Sequence, residues 1–96
     1  MAAAEPDHRA EHRKRVLKGG AILLGINQSE IACTVRNMSA GGAELKVPPE
    51  ARVPESFLLY VSVDGIAYRC RLEWRTGGRV GISFHGTEPK PHWHYG

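Results

Sequence analysis

Apolar and polar residues alternate along most of the chain. Over residues 30–36, Ile31, Cys33 and Val35 share one face, while Glu30, Thr34 and Arg36 share the other. That period of two predicts a half-buried strand. Residues 43–47 alternate again, and Pro48-Pro49 ends the run because proline has no N–H to give a ladder. Phe57, Leu59, Val61 and Val63 share a face, and Asp64-Gly65 then predicts a two-residue hairpin turn. Beyond it, Ile66, Tyr68, Cys70, Leu72 and Trp74 alternate against Arg69, Arg71, Glu73 and Arg75. Thr76-Gly77-Gly78 turns the chain, and Val80, Ile82 and Phe84 complete the pattern. Upstream, residues 16–24 read as a strand interrupted at Gly19-Gly20, where a bulge or sharp bend is expected. Asn27-Gln28-Ser29 reads as a turn. Trp74 and Phe84 both fall in the inward phase and are expected in the core.

The pattern gives about six short strands at intervals of roughly ten residues, with no helical periodicity, which argues for an antiparallel barrel or sandwich. At this size closure is favoured, because it removes exposed edges. The expected fold is therefore all-β, a small six-stranded antiparallel barrel over residues 13–86. A flexible N-terminal arm, rich in alanine and charge, is expected over residues 1–12. An irregular, proline-broken tail is expected over residues 87–96.

The length of 96 residues allows one domain. Such a domain buries only about 60% of its unfolded surface, so its core is thin. No apolar run approaches the ~18 residues of a membrane span. Residues 1–8 lack the charged and apolar regions of a secretory signal, and a cytoplasmic location is expected. Cys33 and Cys70 lie in strand-like runs and read as small buried apolar residues rather than a disulfide. The formal charge is +3, and Arg9, Arg13, Lys14, Arg15 and Lys18 crowd one segment. Such a segment is either a solvated arm or a clamp for anions or nucleic acid.

Nothing in the sequence assembles an enzyme. The carboxylates are scattered, Ser39 has no evident triad partner, and no phosphate-loop or dinucleotide signature occurs. His92 and His94 have a spacing that suits a transition metal, but no cysteine or carboxylate accompanies them. Neither catalysis, a metal nor a cofactor is expected. Binding chemistry is better represented. The stretch Asn37-Met38-Ser39-Ala40-Gly41-Gly42 offers an amide, a hydroxyl and two glycines, though these residues also form ordinary turns. Arg9 and Arg13 offer two guanidinium groups, which pair with phosphate, read guanine O6 and N7, and stack on flat rings.

Arg-x-x-x-Arg followed about twenty to thirty residues later by (Asp/Asn)-x-Ser-x-x-Gly resembles the pattern of the PilZ domain, a bacterial module that binds cyclic di-GMP. The two parts are Arg9 and Arg13, then Asn37, Ser39 and Gly42. The resemblance runs on through Arg13-Lys14-Arg15-Val16-Leu17-Lys18, Cys70-Arg71-Leu72-Glu73-Trp74-Arg75 and Val80-Gly81-Ile82-Ser83-Phe84, covering roughly residues 8–85. It implies that Arg9 and Arg13 hold guanine and phosphate. It implies that Asn37 and Ser39 bond the base edge, and that Gly42 lets the backbone approach where a Cβ would crowd the ligand. It further implies a non-catalytic cyclic di-GMP receptor that acts through an effector protein on motility, biofilm or virulence. The chain departs from the family in two places. Its tail is too proline-broken for the helix that often follows the barrel, and His8 stands where some members carry another arginine.

Two alternatives belong to other classes. A small barrel that binds single-stranded nucleic acid needs aromatic platforms on an outer strand face. Here the strand aromatics fall mostly in the inward phase, which counts against nucleic acid. A PilZ-like adaptor that binds protein alone would lack the arginines, and they are present.

Overall fold

The computed structural model describes residues 14–25 and 29–91. Six strands follow one another: β1 (Lys14–Leu23), β2 (Glu30–Met38), β3 (Gly42–Lys46), β4 (Ser56–Val61), β5 (Ile66–Thr76) and β6 (Arg79–Pro89). Every pairing is antiparallel, and the ring closes in the order β1-β2-β3-β6-β5-β4. The expected barrel is the observed one. The N-terminal arm lies outside the described residues.

The interior is filled by Ile22, Val35, Leu45, Leu59, Val61 and Val80, all essentially without exposure. Burying a side chain of this kind contributes about 1.5–3 kcal/mol. Gly20 belongs to the same packing. A Cβ there would lie 3.3 Å from both Cys33 Sγ and Leu59 Cδ1. Cys33 and Cys70 are free and buried, and burial pushes both thiols up to about 12. Buried thiols of this kind are inert.

Among the described residues, four register shifts interrupt the ladders; one lies between Tyr68 and Cys70, and the other three shape the outer surface around Asn37 and Trp74. The extra residue of β1 falls between Arg15 and Lys18, not at Gly19-Gly20, which pair regularly with Thr34 and Cys33. On β2 the register shifts between Val35 and Asn37, so Arg36 is the extra residue against β3. On β5 it shifts between Leu72 and Trp74, so Glu73 is the extra residue against β6. The bulges of β2 and β5 invert the inward–outward alternation beyond them, whereas β1 keeps Val16 and Ile22 on the same inner face. Trp74, expected in the core, is therefore turned outward and is 45% exposed. Phe84 is half-buried, packs against the core and stacks on Tyr68 with ring centroids 4.7 Å apart.

Two boundaries also differ from expectation. Val61 pairs with Ile66, so the β4–β5 connection holds four residues, not two. Asp64 N and Gly65 N both donate to Val61 O, and Val63 projects into solvent at 73% exposure. Strand β6 continues into the expected irregular tail, because Thr87, Glu88 and Pro89 pair with Tyr68, Ala67 and Ile66. A proline at the end of a strand is compatible with this pairing. The turn at Gly77-Gly78 holds two residues, with Gly77 at φ 58°.

At one mouth of the barrel, Lys18 Nζ lies 3.0 Å from Asp64 Oδ1 and Tyr68 donates its hydroxyl to Asp64 Oδ2 at 2.7 Å. Arg75, at the far end of β5, is tied to the loop before β4. It donates to Ala51 O at 2.5 Å and Pro49 O at 3.0 Å.

Candidate functional site

The bulge at Arg36 decides where Asn37 points. Simple alternation from Ile31, Cys33 and Val35 would turn Asn37 into the core. With the extra residue, Asn37 instead faces Glu44 across β2–β3, while Met38 faces Ala43 and packs inward. The register then carries one row over five strands: Arg15 opposite Asn37, Asn37 opposite Glu44, Glu44 opposite Gly81, and Gly81 opposite Trp74. Four steps of about 4.8 Å give the row a length of roughly 19 Å.

Polar contacts knit the middle of this row. Asn37 Nδ2 donates to Glu44 Oε1 at 3.3 Å, and Arg79 Nε donates to Glu44 Oε2 at 2.5 Å. These neighbours leave Glu44 only 7% exposed. The Arg79 hydrogen bond holds the Glu44 carboxyl below its ordinary value, against burial, and the Asn37 amide and the charges of Arg79 and Arg36 assist. Glu44 in turn raises the Arg79 guanidinium above its ordinary value. The Arg79 guanidinium also sits 6.0 Å from the centroid of a Trp74 ring, within cation–π range. A Cβ on Gly81 would collide with Trp74 Nε1, Cε2 and Cδ1, so the indole covers the outer side of that glycine.

Beside the row, Arg15, Val16, Leu17, Arg36 and Asn37 line an open cleft of about 640 Å³. The bulges of β1 and β2 both face it. Two exposed guanidiniums thus flank the Asn37 amide. Bulges recur beside functional sites because they re-aim side chains.

The turn between β2 and β3 is self-closing. Ser39 N donates to Gly42 O at 2.9 Å, Ser39 Oγ donates to the same carbonyl at 3.4 Å, and Gly41 N donates to Ser39 Oγ at 3.3 Å. Gly42 is buried against β6, and a Cβ there would collide with Ile82 O. The chain's own backbone therefore requires glycine at this position.

Asn37, Ser39 and Gly42 are thus brought together at one end of the β2–β3 hairpin. Arg9 and Arg13 lie outside the described residues. Arg15, Arg36, Glu44, Arg79 and Trp74 complete the surroundings, and the sequence reading did not select them. One signal was available, because a glycine within a strand marks a close approach, and Gly81 is such a glycine.

A second groove, of about 530 Å³, lies on β4, β5 and β6, with Arg69, Arg71 and His85 on its wall. Arg69 Nε is paired with Glu88 Oε2 at 2.8 Å, and Ser83 donates its hydroxyl to Glu73 at 2.6 Å. It contains no motif residue. Among the described residues, no group of three His, Cys, Asp or Glu side chains could hold a metal. His92 and His94 lie outside them. No helix among the described residues is long and apolar enough to cross a membrane.

Comparison with known proteins agrees with the geometry. No curated protein matches the chain. The model of the PilZ domain family matches residues 7–92, which takes in both arginines, the β2–β3 turn and all six strands. Domains of this family generally bind cyclic di-GMP and are generally non-catalytic. On a match that spans nearly the whole chain, with a six-stranded antiparallel ring beneath it, this protein belongs to the PilZ domain family.

Proposed function

We propose that this chain is a non-catalytic cyclic di-GMP receptor whose site is the outer face around Asn37, completed by Arg9 and Arg13. The observation that carries the reading is the bulge at Arg36. It turns Asn37 out of the core and into a cleft walled by Arg15 and Arg36. Two phosphates and two guanines need cations, hydrogen-bond partners and flat surfaces in one place. The cleft and the neighbouring Trp74 offer all three.

Each residue has a role in this reading. Arg9 and Arg13 hold guanine and phosphate. In the sequence, Arg13 precedes the cleft residue Arg15 by two positions. Asn37 bonds the base edge. Ser39 contributes its hydroxyl while shaping the turn. Gly42 lets β3 begin close against β6 and so fixes where the turn sits. Trp74 supplies a ring on which a base stacks. Nucleic acid remains disfavoured, for a changed reason. Trp74 is exposed, but single-strand binders use successive stacking rings along a groove, and Trp74 is the one exposed large aromatic among the described residues. The receptor acts in the cytoplasm by presenting the filled site to an effector protein, with motility, biofilm formation or virulence as output.

Calorimetric titration of the full chain with cyclic di-GMP tests this reading, with GTP and a short oligonucleotide as controls. Saturable binding of cyclic di-GMP alone is expected. Arg9→Ala or Arg13→Ala is expected to weaken it by about ten- to hundredfold, since each removes a charge-assisted contact of roughly 1.5–3 kcal/mol. Unchanged affinity in both variants would overturn the assignment of the arm.

A further inference from the structure

An asparagine differs from an aspartate in having two unlike ends. Its carbonyl oxygen accepts and its NH₂ donates, and a half-turn of the amide exchanges them. A site that reads a base edge with asparagine must fix which end faces the ligand. In this protein the residue opposite Asn37 does so. Glu44 gives one carboxylate oxygen to Asn37 Nδ2 and the other to Arg79 Nε.

An ionised carboxylate only accepts hydrogen bonds. Turning the Asn37 amide over would set its oxygen against Glu44 Oε1, two acceptors face to face. Arg79 keeps Glu44 in place, and its hydrogen bond favours the ionised carboxylate. The amide is therefore held with its NH₂ toward Glu44 and its carbonyl oxygen free of that contact. Among the described residues that oxygen takes no hydrogen bond.

We infer that Glu44 is a positioning residue that makes Asn37 an acceptor toward the ligand and so selects guanine over adenine. The inference rests on the proposed site. Guanine presents donors, N1–H and the N2 amino group, on its pairing edge, whereas adenine presents an acceptor, N1, between its flanking groups. A fixed acceptor at residue 37 matches the first and repels the second. Correct and incorrect hydrogen-bond matches at a base edge differ by about ten- to hundredfold in affinity.

The test is calorimetry of the full chain with cyclic di-GMP and cyclic di-AMP, each titrated into four proteins. Wild type is expected to favour the guanine ligand. Glu44→Gln keeps the shape of the side chain but must direct its carbonyl oxygen at Arg79 and its NH₂ at Asn37. The Asn37 amide then turns over, and the preference for guanine falls by about tenfold or more. Asn37→Asp alone sets two carboxylates side by side and weakens binding of both ligands. The double variant Asn37→Asp with Glu44→Gln reverses donor and acceptor across the pair and keeps the bond to Arg79. It is expected to restore both affinity and guanine preference. A merely structural Glu44 would predict two losses that add and leave the preference unchanged. An unaltered ratio in Glu44→Gln, or no rescue in the double variant, would overturn the inference while the site stands. A wild type that binds neither nucleotide would overturn the site itself and the inference with it. Thermal unfolding of each variant checks the fold, and the rescued double variant guards against misreading an unfolded single one.

Discussion

The indole of Trp74 occupies the space that a Cβ on Gly81 would need. Trp74 is on β5 and Gly81 on β6, paired across the sheet after the bulge at Glu73. The glycine leaves a shallow seat on the outer face, and the ring fills it while keeping nearly half its surface exposed. Arg79 approaches the same ring and reaches Glu44, which holds Asn37. A flat aromatic surface and a hydrogen-bonding amide are thus fixed to one rigid frame.

Gly81→Ala should unseat that ring. In a Trp93→Phe background, which leaves Trp74 as the lone tryptophan, its fluorescence should shift to the red and quench more readily with acrylamide. Cyclic di-GMP affinity should fall by about the worth of a stacked base, 1–3 kcal/mol, and Trp74→Ala should lose as much. Equal emission spectra in the two proteins would show that the ring does not depend on Gly81.

The β2–β3 turn should separate binding from folding. Ser39→Ala removes a hydroxyl that bonds Gly42 O and Gly41 N, at a cost of about 1 kcal/mol in stability, and it should also weaken cyclic di-GMP binding. Thr34→Ala, on β2 opposite Lys46, should leave binding unchanged. Gly42→Val should damage the fold first, because the new side chain meets Ile82 O. A loss of 1–3 kcal/mol or more is expected, about 4–8 °C of Tm for each kilocalorie. Thermal unfolding and calorimetry on the same samples distinguish the two effects.

Stability should fall at both ends of the pH range. Burial opposes ionisation of Asp64, but hydrogen bonds from Tyr68 and Lys18, with the Lys18 charge, outweigh it and hold the carboxyl below its ordinary 3.8. Glu44 is likewise held below 4.5. A depressed carboxyl binds its proton more weakly in the folded chain than in the unfolded one. Its contribution is complete above the ordinary value and disappears as pH falls through the folded value. Asp64→Asn should therefore flatten the acid limb. Tyr68 is raised from 10.0 to about 12, first by burial and then by Asp64. Its contribution is complete below 10 and lost between 10 and about 12. Cys33 and Cys70 add to that limb from 9.0 upward. Tyr68→Phe should remove part of the alkaline loss. Urea midpoints measured across pH give both limbs.

The six strands were legible because each strand's inner face is written in its own alternation, as in Ile31, Cys33 and Val35. The bulges were not, because an extra residue is defined only against the neighbouring strand. That is why Trp74 read as core and why the outward turn of Asn37 had no local sign. Asp64-Gly65 has the composition of a two-residue turn, yet Gly65 also suits the left-handed end of the four-residue connection that forms, at φ 73°. For the site, the spacing of Asn37, Ser39 and Gly42 could be recognised as a motif. Arg15, Arg36, Glu44 and Arg79 could not, since only cross-strand register brings them beside Asn37. The ties of Arg75 were hidden for the same kind of reason: its partners, Ala51 O and Pro49 O, come from a distant loop.

The location of the ligand is the central claim, and amide mapping by NMR tests it most directly. Cyclic di-GMP titrated into the ¹⁵N-labelled full chain should shift the amides of Arg15, Arg36, Asn37 and Glu44, and the indole N–H of Trp74. Amides of β4, such as Leu59, should stay in place. Shifts concentrated instead around Arg69, Arg71 and His85, with Asn37 and Trp74 unmoved, would put the ligand in the other groove and contradict the account.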